Sequence, residues 1–470
     1  MSDWFYLLPQ AILCAGGLAA LGLGAVLLRP APGLQLGGAL LFLAAAGAIV
    51  LALPAAGPVL DDMLAFDGIV RFYQILILGS AGLSLLFATR YASLRGLAGD
   101  ELYALVLFAT LGMLLLAGAA NWVIFVLGLE LFTLCLYVLI ALDRGRRTSL
   151  EAALKYFVPG AAAAGCLIFG VALIYAATGS LDLASSLASA VAGDVASFGP
   201  GLAGLALILL GVGFKLALAP FHLWAPDVYQ GAPAPVTAFL ATGSKVAVYA
   251  ALLRLVSALP ADAWQALAPV FWLLSAATLL AGSLPALTQT RVKRLLAYSS
   301  VAQMGYLLLA LLAYPAAGPA PVMFYAAAYV LMDLGAFGSL GLLSPVSGDL
   351  DALEGFAGLG RTRPWPAAVL AVSLLSLAGL PLTMGFVGKF VVFVAVVRAG
   401  YPVLAGIGIL GAVVAAGAYL RVLGALYFSR PVHAGQGQPP GPAAYVALGL
   451  VGALIVLLGI VPGPLLGLLR

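Results

Sequence analysis

Five ionisable side chains lie inside long apolar runs of this sequence: Glu130 in GLELFTLCLY, Lys215 in GVGFKLALAP, Lys245 in ATGSKVAVYA, Asp333 in YVLMDLGAF and Lys389 in GFVGKFVVF. A charge held in hydrocarbon costs at least a few kcal/mol, so such groups mark either a function or a buried pairing. Three lysines with two acids point to proton handling. Burial makes a lysine easier to deprotonate and a nearby carboxylate reverses that, so moving the carboxylate loads or unloads the lysine. Arginine keeps its proton throughout and cannot serve this way. The competing reading is structural, with Glu130 and Asp333 each pairing one lysine to hold helices in register. Three lysines on separate segments exceed what one or two pairs need, whereas Asp333 by itself reads more readily as an interhelical hydrogen-bonding group.

A second set of polar residues surrounds these. His222 follows Lys215 in a proline-rich stretch, and imidazole titrates in the range a relay needs; a histidine at a helix end is as often a simple hydrogen-bonding group. Ser299, Ser300, Gln303 and Tyr306 recur along one segment, where they can line a wet path or act as interhelical glue. His433 sits in a Gly- and Pro-rich loop and reads as solvated. Cys14, Cys135 and Cys166 stand singly in apolar stretches without paired spacing, and with only two histidines no zinc, haem or iron–sulfur site can be assembled. No metal site and no cofactor site is expected on this chain.

The elements that must position these groups follow from composition. Of 470 residues, 64% are hydrophobic and 8% charged, with a mean hydropathy of +1.16. This is an all-α polytopic membrane protein; soluble enzymes, nucleic-acid binders and disulfide scaffolds are excluded. The first apolar run lacks a basic flank and a cleavage site and reads as a retained span rather than a signal peptide. Fourteen spans are expected, near 5–28, 35–54, 70–89, 102–119, 121–142, 152–178, 201–221, 234–258, 264–287, 294–314, 320–343, 365–398 with an internal break, 402–428 and 442–468. The stretch 181–200 reads as a polar, small-residue connector, and no loop is long enough for a soluble catalytic domain. The net charge of +4 reflects loop topology more than affinity for anionic partners.

Nearly all the Lys and Arg of the loops fall in one alternate set: Arg29; Arg90 and Arg95; Arg144, Arg146, Arg147 and Lys155; Arg291, Lys293 and Arg294; Arg361 and Arg363; Arg430. Arg254, Arg398, Arg470 and the acidic Asp61, Asp62 and Asp67 lie on the other side. Short cytoplasmic loops collect the cations, so both termini are expected on the non-cytoplasmic side. An even span count places them on the same side, in agreement.

Two spans should be broken. The seventh runs into LAPFHLWAPDVYQGAPAP, with Pro220, Pro226, Pro233 and Pro235, and the twelfth holds SLAGLPLTMGFVGKF, with Gly379, Pro381, Gly385 and Gly388. Irregular backbone at membrane depth survives only where protein or a wet cavity satisfies it. Broken segments at corresponding places in two halves point to a transport path built from inverted repeats. The chain then divides into residues 1–95 (three N-terminal helices), 100–258 (first five-helix repeat), 264–428 (second, inverted repeat) and 440–470 (a last helix).

The stretches KLALAPFHLWAPDVYQGAPAPVTAFLATGSKVA and RVKRLLAYSSVAQMGYLLLAL resemble the antiporter-like membrane subunits of respiratory complex I, the NADH:quinone oxidoreductase. The wording DVYQGAP is most like the subunit N branch of that family, and an end just after the fourteenth span resembles subunits M and N rather than subunit L with its long C-terminal lateral helix. The resemblance covers essentially the whole chain. It implies a proton-translocating subunit of a bacterial inner (plasma) membrane, with Glu130 and Lys215 in the first half-channel, Lys245 as central relay and Lys389 in the second. It further implies that NADH, FMN, iron–sulfur clusters and quinone belong to partner subunits. The implied partners are the peripheral NADH-oxidising arm, the other membrane subunits (antiporter-like subunit M and the small subunits J, K, A and H) and lipid, with no nucleic acid. Two positions depart from the family pattern: Gln303 stands where a histidine is frequent, and Asp333 where a neutral amide is expected. A subunit of a multi-subunit Na+/H+ antiporter shares the fold and the lysine plan and is the first alternative. A non-transporting scaffold, whose charges merely dock helices, is the second.

Overall fold

The computed structural model describes residues 3–27, 32–97, 99–192, 195–345, 348–430 and 441–469. His433 lies outside them. The chain folds into helices α1 (Leu8–Leu27), α2 (Pro32–Ala52), α3 (Gly68–Leu94), α4 (Asp100–Gly118), α5 (Trp122–Ile140), α6 (Arg147–Thr178), α7 (Leu183–Ala192) and α8 (Val195–Leu216). There follow α9 (Trp224–Gly231), α10 (Ala234–Phe239), a π-helical turn (Leu240–Ser244), α11 (Lys245–Ser257), α12 (Ala261–Ala286), α13 (Val292–Leu312), α14 (Tyr314–Ala317) and α15 (Ala320–Leu343). The last are α16 (Leu359–Thr362), α17 (Pro364–Ala378), α18 (Met384–Arg398), α19 (Pro402–Phe428), α20 (Pro442–Ile460) and α21 (Gly463–Leu468).

Thirteen helical segments among the described residues are long and apolar enough to cross a membrane, α10 through α11 counting as one. The broken pair α17 and α18 supplies a fourteenth crossing, as the hydropathy pattern requires. Local signals set the ends. Asp67 caps α3 by accepting from the Val70 N–H at 2.8 Å, and Asn121 caps α5 by accepting from Val123 at 2.8 Å. Gly179 closes α6 in the left-handed conformation, φ 68°.

Burial sorts the helices by role. The segment α10–α11 and helices α13 and α15 are enclosed almost completely, whereas α1, α2, α6 and α20 keep large apolar side chains such as Leu41, Val158, Phe169 and Val446 exposed, as lipid- or subunit-facing helices do. The enclosed helices carry Lys245, Ser299, Ser300, Gln303, Tyr306 and Asp333.

Two expectations need correction, and the acidic Asp61–Asp62 stretch takes a defined form. The connector 181–200 is largely helical: Ala and Leu favour helix, Asp182 accepts from Ser185 N–H at 2.7 Å, and Leu183, Leu187 and Ala190 bury one face as α7. Gly385 and Gly388 lie inside α18 rather than in the break; a Cβ on Gly388 would approach the Tyr325 ring to 2.9 Å, so this glycine allows close packing. The acidic loop at Asp61 and Asp62 is the turn of a small antiparallel hairpin, β1 (Ala56–Val59) with β2 (Leu64–Phe66), whose Leu60, Asp61 and Asp62 are all left-handed.

One end of the bundle gathers the basic loops. Asp349, in the segment after α15, is buried and accepts from Arg95 at 2.7 Å, Lys293 at 2.8 Å, Tyr91 at 2.5 Å and the Ala234 N–H at 3.1 Å. Lys293, a loop cation in the sequence pattern, is itself buried and also donates to the Ala232 carbonyl at 2.5 Å. Asp349 thereby ties α3, α13 and the start of α10 together. Beside it Asp227 pairs with Lys155 at 2.8 Å and with Arg294, and Asp351 accepts from Gln230 at 2.7 Å. At the opposite end Arg254 pairs with Asp67 at 2.8 Å.

Burial alone would push the Asp349 carboxyl up, but Lys293 and Arg95 outweigh it and bring its pKa down from 3.8 to about 2. A carboxyl depressed in the folded state stabilises above its ordinary pKa, and that contribution, about 2 kcal/mol, is lost as pH falls from about 4 toward 2. Asp349→Asn leaves two cations unpaired and is expected to cost about 3–5 kcal/mol. Thermal unfolding of the purified protein between pH 2 and 7 checks both: the variant should start less stable and lose less on acidification than the parent.

Candidate functional site

The breaks in the seventh and twelfth spans share one physical problem. A helix that stops within the membrane leaves carbonyls without amide partners, and these must be satisfied by the protein. In the first break α8 ends at Leu216, Ala217 turns left-handed (φ 56°) with its N–H on the Phe214 carbonyl at 3.0 Å, and the Trp224 indole donates to the same carbonyl at 2.9 Å. The Ala219 N–H finds the Thr278 hydroxyl at 3.0 Å. In the second, α17 ends at Gly379 (φ 87°) and Leu382 is left-handed (φ 67°) before α18 begins. Here the donor is Lys389, whose ammonium binds the Leu377 carbonyl at 2.6 Å and the Ala378 carbonyl at 3.3 Å. The negative end of the α17 dipole adds to that attraction. Lys215 precedes its break and Lys389 follows its own, so the two lysines meet their broken helices from opposite sides in chain order.

Each lysine is buried and each is held by neutral groups. Lys215 donates to the Thr133 hydroxyl at 3.0 Å, with the Tyr137, Tyr156 and Phe214 rings 5.6–5.9 Å from its nitrogen. Glu130 lies one turn before Thr133 on α5, half-buried and within electrostatic reach of Lys215, but the two make no ion pair within 4.0 Å. Lys245 is the first residue after the π-helical turn, donates to Ser300 at 2.7 Å and has the Tyr229 ring 5.5 Å away. That turn frees the Ala241 carbonyl, which accepts from the Tyr329 hydroxyl at 2.5 Å. Lys389 sits 4.7 Å over the Tyr306 ring. Rings that face a cation supply attraction without a counter-charge.

Between Lys245 and Lys389 runs the polar row of α13. Ser300 touches Lys245, Tyr229 (3.3 Å) and Tyr329 (2.8 Å). Gln303 accepts from the Tyr325 hydroxyl, Ser299 bonds Tyr419 at 2.5 Å, and Tyr306 lies under Lys389 while donating to the Gly408 carbonyl at 2.9 Å. The structure therefore brings Lys245, Ser299, Ser300, Gln303, Tyr306, Asp333 and Lys389 into one buried region, and Glu130 and Lys215 into a second. His222 joins neither: it is half-buried in the turn after Pro220, its Nδ1 without a partner.

Thr133, Tyr229 and Tyr329 are participants that the sequence analysis passes over. Helical spacing holds the signal for two of them, since Thr133 is three residues from Glu130 and Tyr329 four residues from Asp333. Tyr229 lies within the DVYQGAP stretch, but nothing in one sequence aims its ring at Lys245.

Such an arrangement can hold protons on flexible amines and pass them between hydroxyls. Among the described residues no group of three or more His, Cys, Asp or Glu side chains could hold a metal ion. Its packing is tight at Gly388, so Gly388→Ala should displace Tyr325 from Gln303 at a cost of about 1–3 kcal/mol, read as a lower Tm of the purified protein.

The profile of the family described as NADH:quinone oxidoreductase/Mrp antiporter, TM, matches residues 119–415. The NADH-quinone oxidoreductase subunit N 1 of Solidesulfovibrio magneticus is 48% identical over 464 residues, 98% of this chain and 96% of the relative. A chain of respiratory complex I from Thermus thermophilus superposes with a TM-score of 0.81 at 37% identity, covering 98% of this chain and 99% of that one. A chain of the Mrp complex from Dietzia sp. shares the fold, with a TM-score of 0.83 at 22% identity over 98% of this chain and 95% of that one.

Proposed function

The chain belongs to the NADH:quinone oxidoreductase/Mrp antiporter membrane family, as an antiporter-like, multi-pass subunit of the subunit N type, and from that premise we propose that it carries protons across the membrane. The observation that carries this reading is the set of three lysines buried within the spans, each held by neutral acceptors and none by a closed ion pair. A docking charge would be locked to a counter-ion; a lysine on a hydroxyl or a carbonyl can lose its proton without stranding an opposite charge. The multi-subunit Na+/H+ antiporter is less well supported, since the likeness to the Mrp chain is one of fold at 22% identity.

Redox chemistry belongs to other subunits in this reading, and its energy arrives as movement or charge. Glu130 is the adjustable element of the first half-channel. Approaching Lys215 it favours the protonated lysine, and withdrawing it favours release toward Lys245. From Lys245 the Ser300 and α13 groups lead toward Lys389, whose hold on the Leu377 carbonyl ends the inner path. A hundredfold change in a lysine's proton affinity is worth about 2.7 kcal/mol, against about 2.3 kcal/mol to move one charge through 100 mV. The magnitudes match.

Residues 100–258 and 264–428 form the two inverted halves of this device, in the bacterial inner (plasma) membrane, with the cluster around Asp227, Asp349 and Asp351 at the cytoplasmic end and both termini on the other side. The NADH-oxidising arm, antiporter-like subunit M and the small subunits J, K, A and H are its partners. Lys215→Ala and Glu130→Ala are expected to lower the proton-to-electron ratio of NADH-driven pumping in reconstituted vesicles while assembly on native gels persists. Unchanged ratios in both variants would overturn the reading.

A further inference from the structure

Asp333 is fully buried at the centre of the bundle, and neither carboxylate oxygen receives a hydrogen bond in this geometry. The three buried lysines of the spans each have a partner: Lys215 has Thr133, Lys245 has Ser300 and Lys389 has the α17 carbonyls. Leaving a carboxylate bare in a low-dielectric interior is costly unless it is neutralised. The one cation that acts on it electrostatically is Lys245; the other groups within its reach are the hydroxyls of Tyr229, Tyr325, Tyr329 and Tyr419. Tyr329, one turn earlier on α15, lies beside the carboxylate but spends its hydroxyl on Ala241 and Ser300. Ser300 in turn accepts from Lys245. An ammonium, two hydroxyls and an unsatisfied acid thus stand in sequence.

We infer that Asp333 is a proton-transfer residue that shares one proton with Lys245 through the hydroxyls of Ser300 and Tyr329. The inference rests on the proton-carrying reading above and extends it to a group that reading leaves idle. In the transfer Lys245 gives a proton to Ser300 Oγ, Ser300 gives its own to Tyr329 Oη, and Tyr329 gives its own to Asp333. One N–H and two O–H bonds break, three O–H bonds form, and a charged pair becomes a neutral amine and acid. For the last step the Tyr329 hydrogen turns from the Ala241 carbonyl to the carboxylate.

The pair carries no net charge in either form, so a buried lysine can wait at the middle of the path without a fixed counter-ion. A further proton arriving from the Lys215 side makes the pair cationic, and that charge is what drives a proton on toward Lys389.

The test uses the assembled complex in lipid vesicles, with Asp333→Asn, Asp333→Glu and Lys215→Ala compared for protons moved per NADH oxidised. The expected result is a lowered ratio in D333N, recovery in D333E and a lowered ratio in K215A. A wild-type ratio in D333N beside a lowered one in K215A overturns this inference alone; wild-type ratios in both overturn the proton-carrying reading with it. Where D333N does not assemble, or D333E does not restore pumping, infrared difference spectra of the working complex decide. A turnover-dependent carboxyl band that shifts between wild type and D333E supports the inference, and an unchanged carboxyl region overturns it.

Discussion

A bilayer interior offers no water to a stray hydrogen-bonding group, and this structure depends on how that constraint is met at two interrupted helices. Stopping α8 at Leu216 and α17 at Gly379 exposes carbonyls that would each cost several kcal/mol if left bare. The Ala217 and Leu218 N–H groups with Trp224 meet the need in one case and Lys389 in the other. The second solution does two jobs at once. The carbonyls gain a donor, and the ammonium gains a negative helix end in a place where no carboxylate is bonded to it. A π-helical turn before Lys245 repeats the theme on a smaller scale, since it frees the Ala241 carbonyl for Tyr329 and so draws a hydroxyl toward the lysine.

The two ends of the bundle use charge differently from its middle. Around Asp349 and Asp227 the ion pairs are closed, with N···O distances of 2.7–2.8 Å for Arg95, Lys293 and Lys155. They bind α3, α6, α9, α10 and α13 to one another, and the α9–α10 junction they grip lies between the first break and Lys245. In the middle, by contrast, no lysine among the described residues makes an ion pair with an acid: Lys215, Lys245 and Lys389 rest on Thr133, Ser300 and the Leu377 carbonyl. Fixed pairs hold the frame, and the lysines inside the spans are held by neutral acceptors. A cavity of about 330 Å³ opens beside the fixed pairs, lined by Arg146, Glu151, Lys155, Asp227, Arg291 and Asp351 among others.

Much of this is legible from the chain alone because membrane insertion imposes a coarse code. Apolar runs of about 20 residues count the spans, and Pro220, Gly379 and Pro381 mark the breaks because they cannot continue a helix of ordinary geometry. The code is silent about shorter-range decisions. Gly385 and Gly388 look like further breaks and are instead packing positions, because a glycine inside a helix can serve either purpose. The connector near 181–200 looks polar enough for a loop, yet Leu183, Leu187 and Ala190 have a surface to bury against and it folds as α7.

The sequence by itself determined where the apolar spans lie, which ionisable residues fall inside them and the segments in which helices fail, since each follows from the cost of placing a given side chain or backbone group in hydrocarbon. The tertiary structure decided what each of those residues touches. Glu130 and Lys215 read as a pair, yet the lysine rests on Thr133; Lys389 reads as one more buried cation, yet it caps α17; Asp333 reads as interhelical glue, yet it faces Lys245 without a hydrogen bond. Contacts between helices hundreds of residues apart depend on how far each is rotated and shifted against its neighbours. Hydropathy carries no record of that.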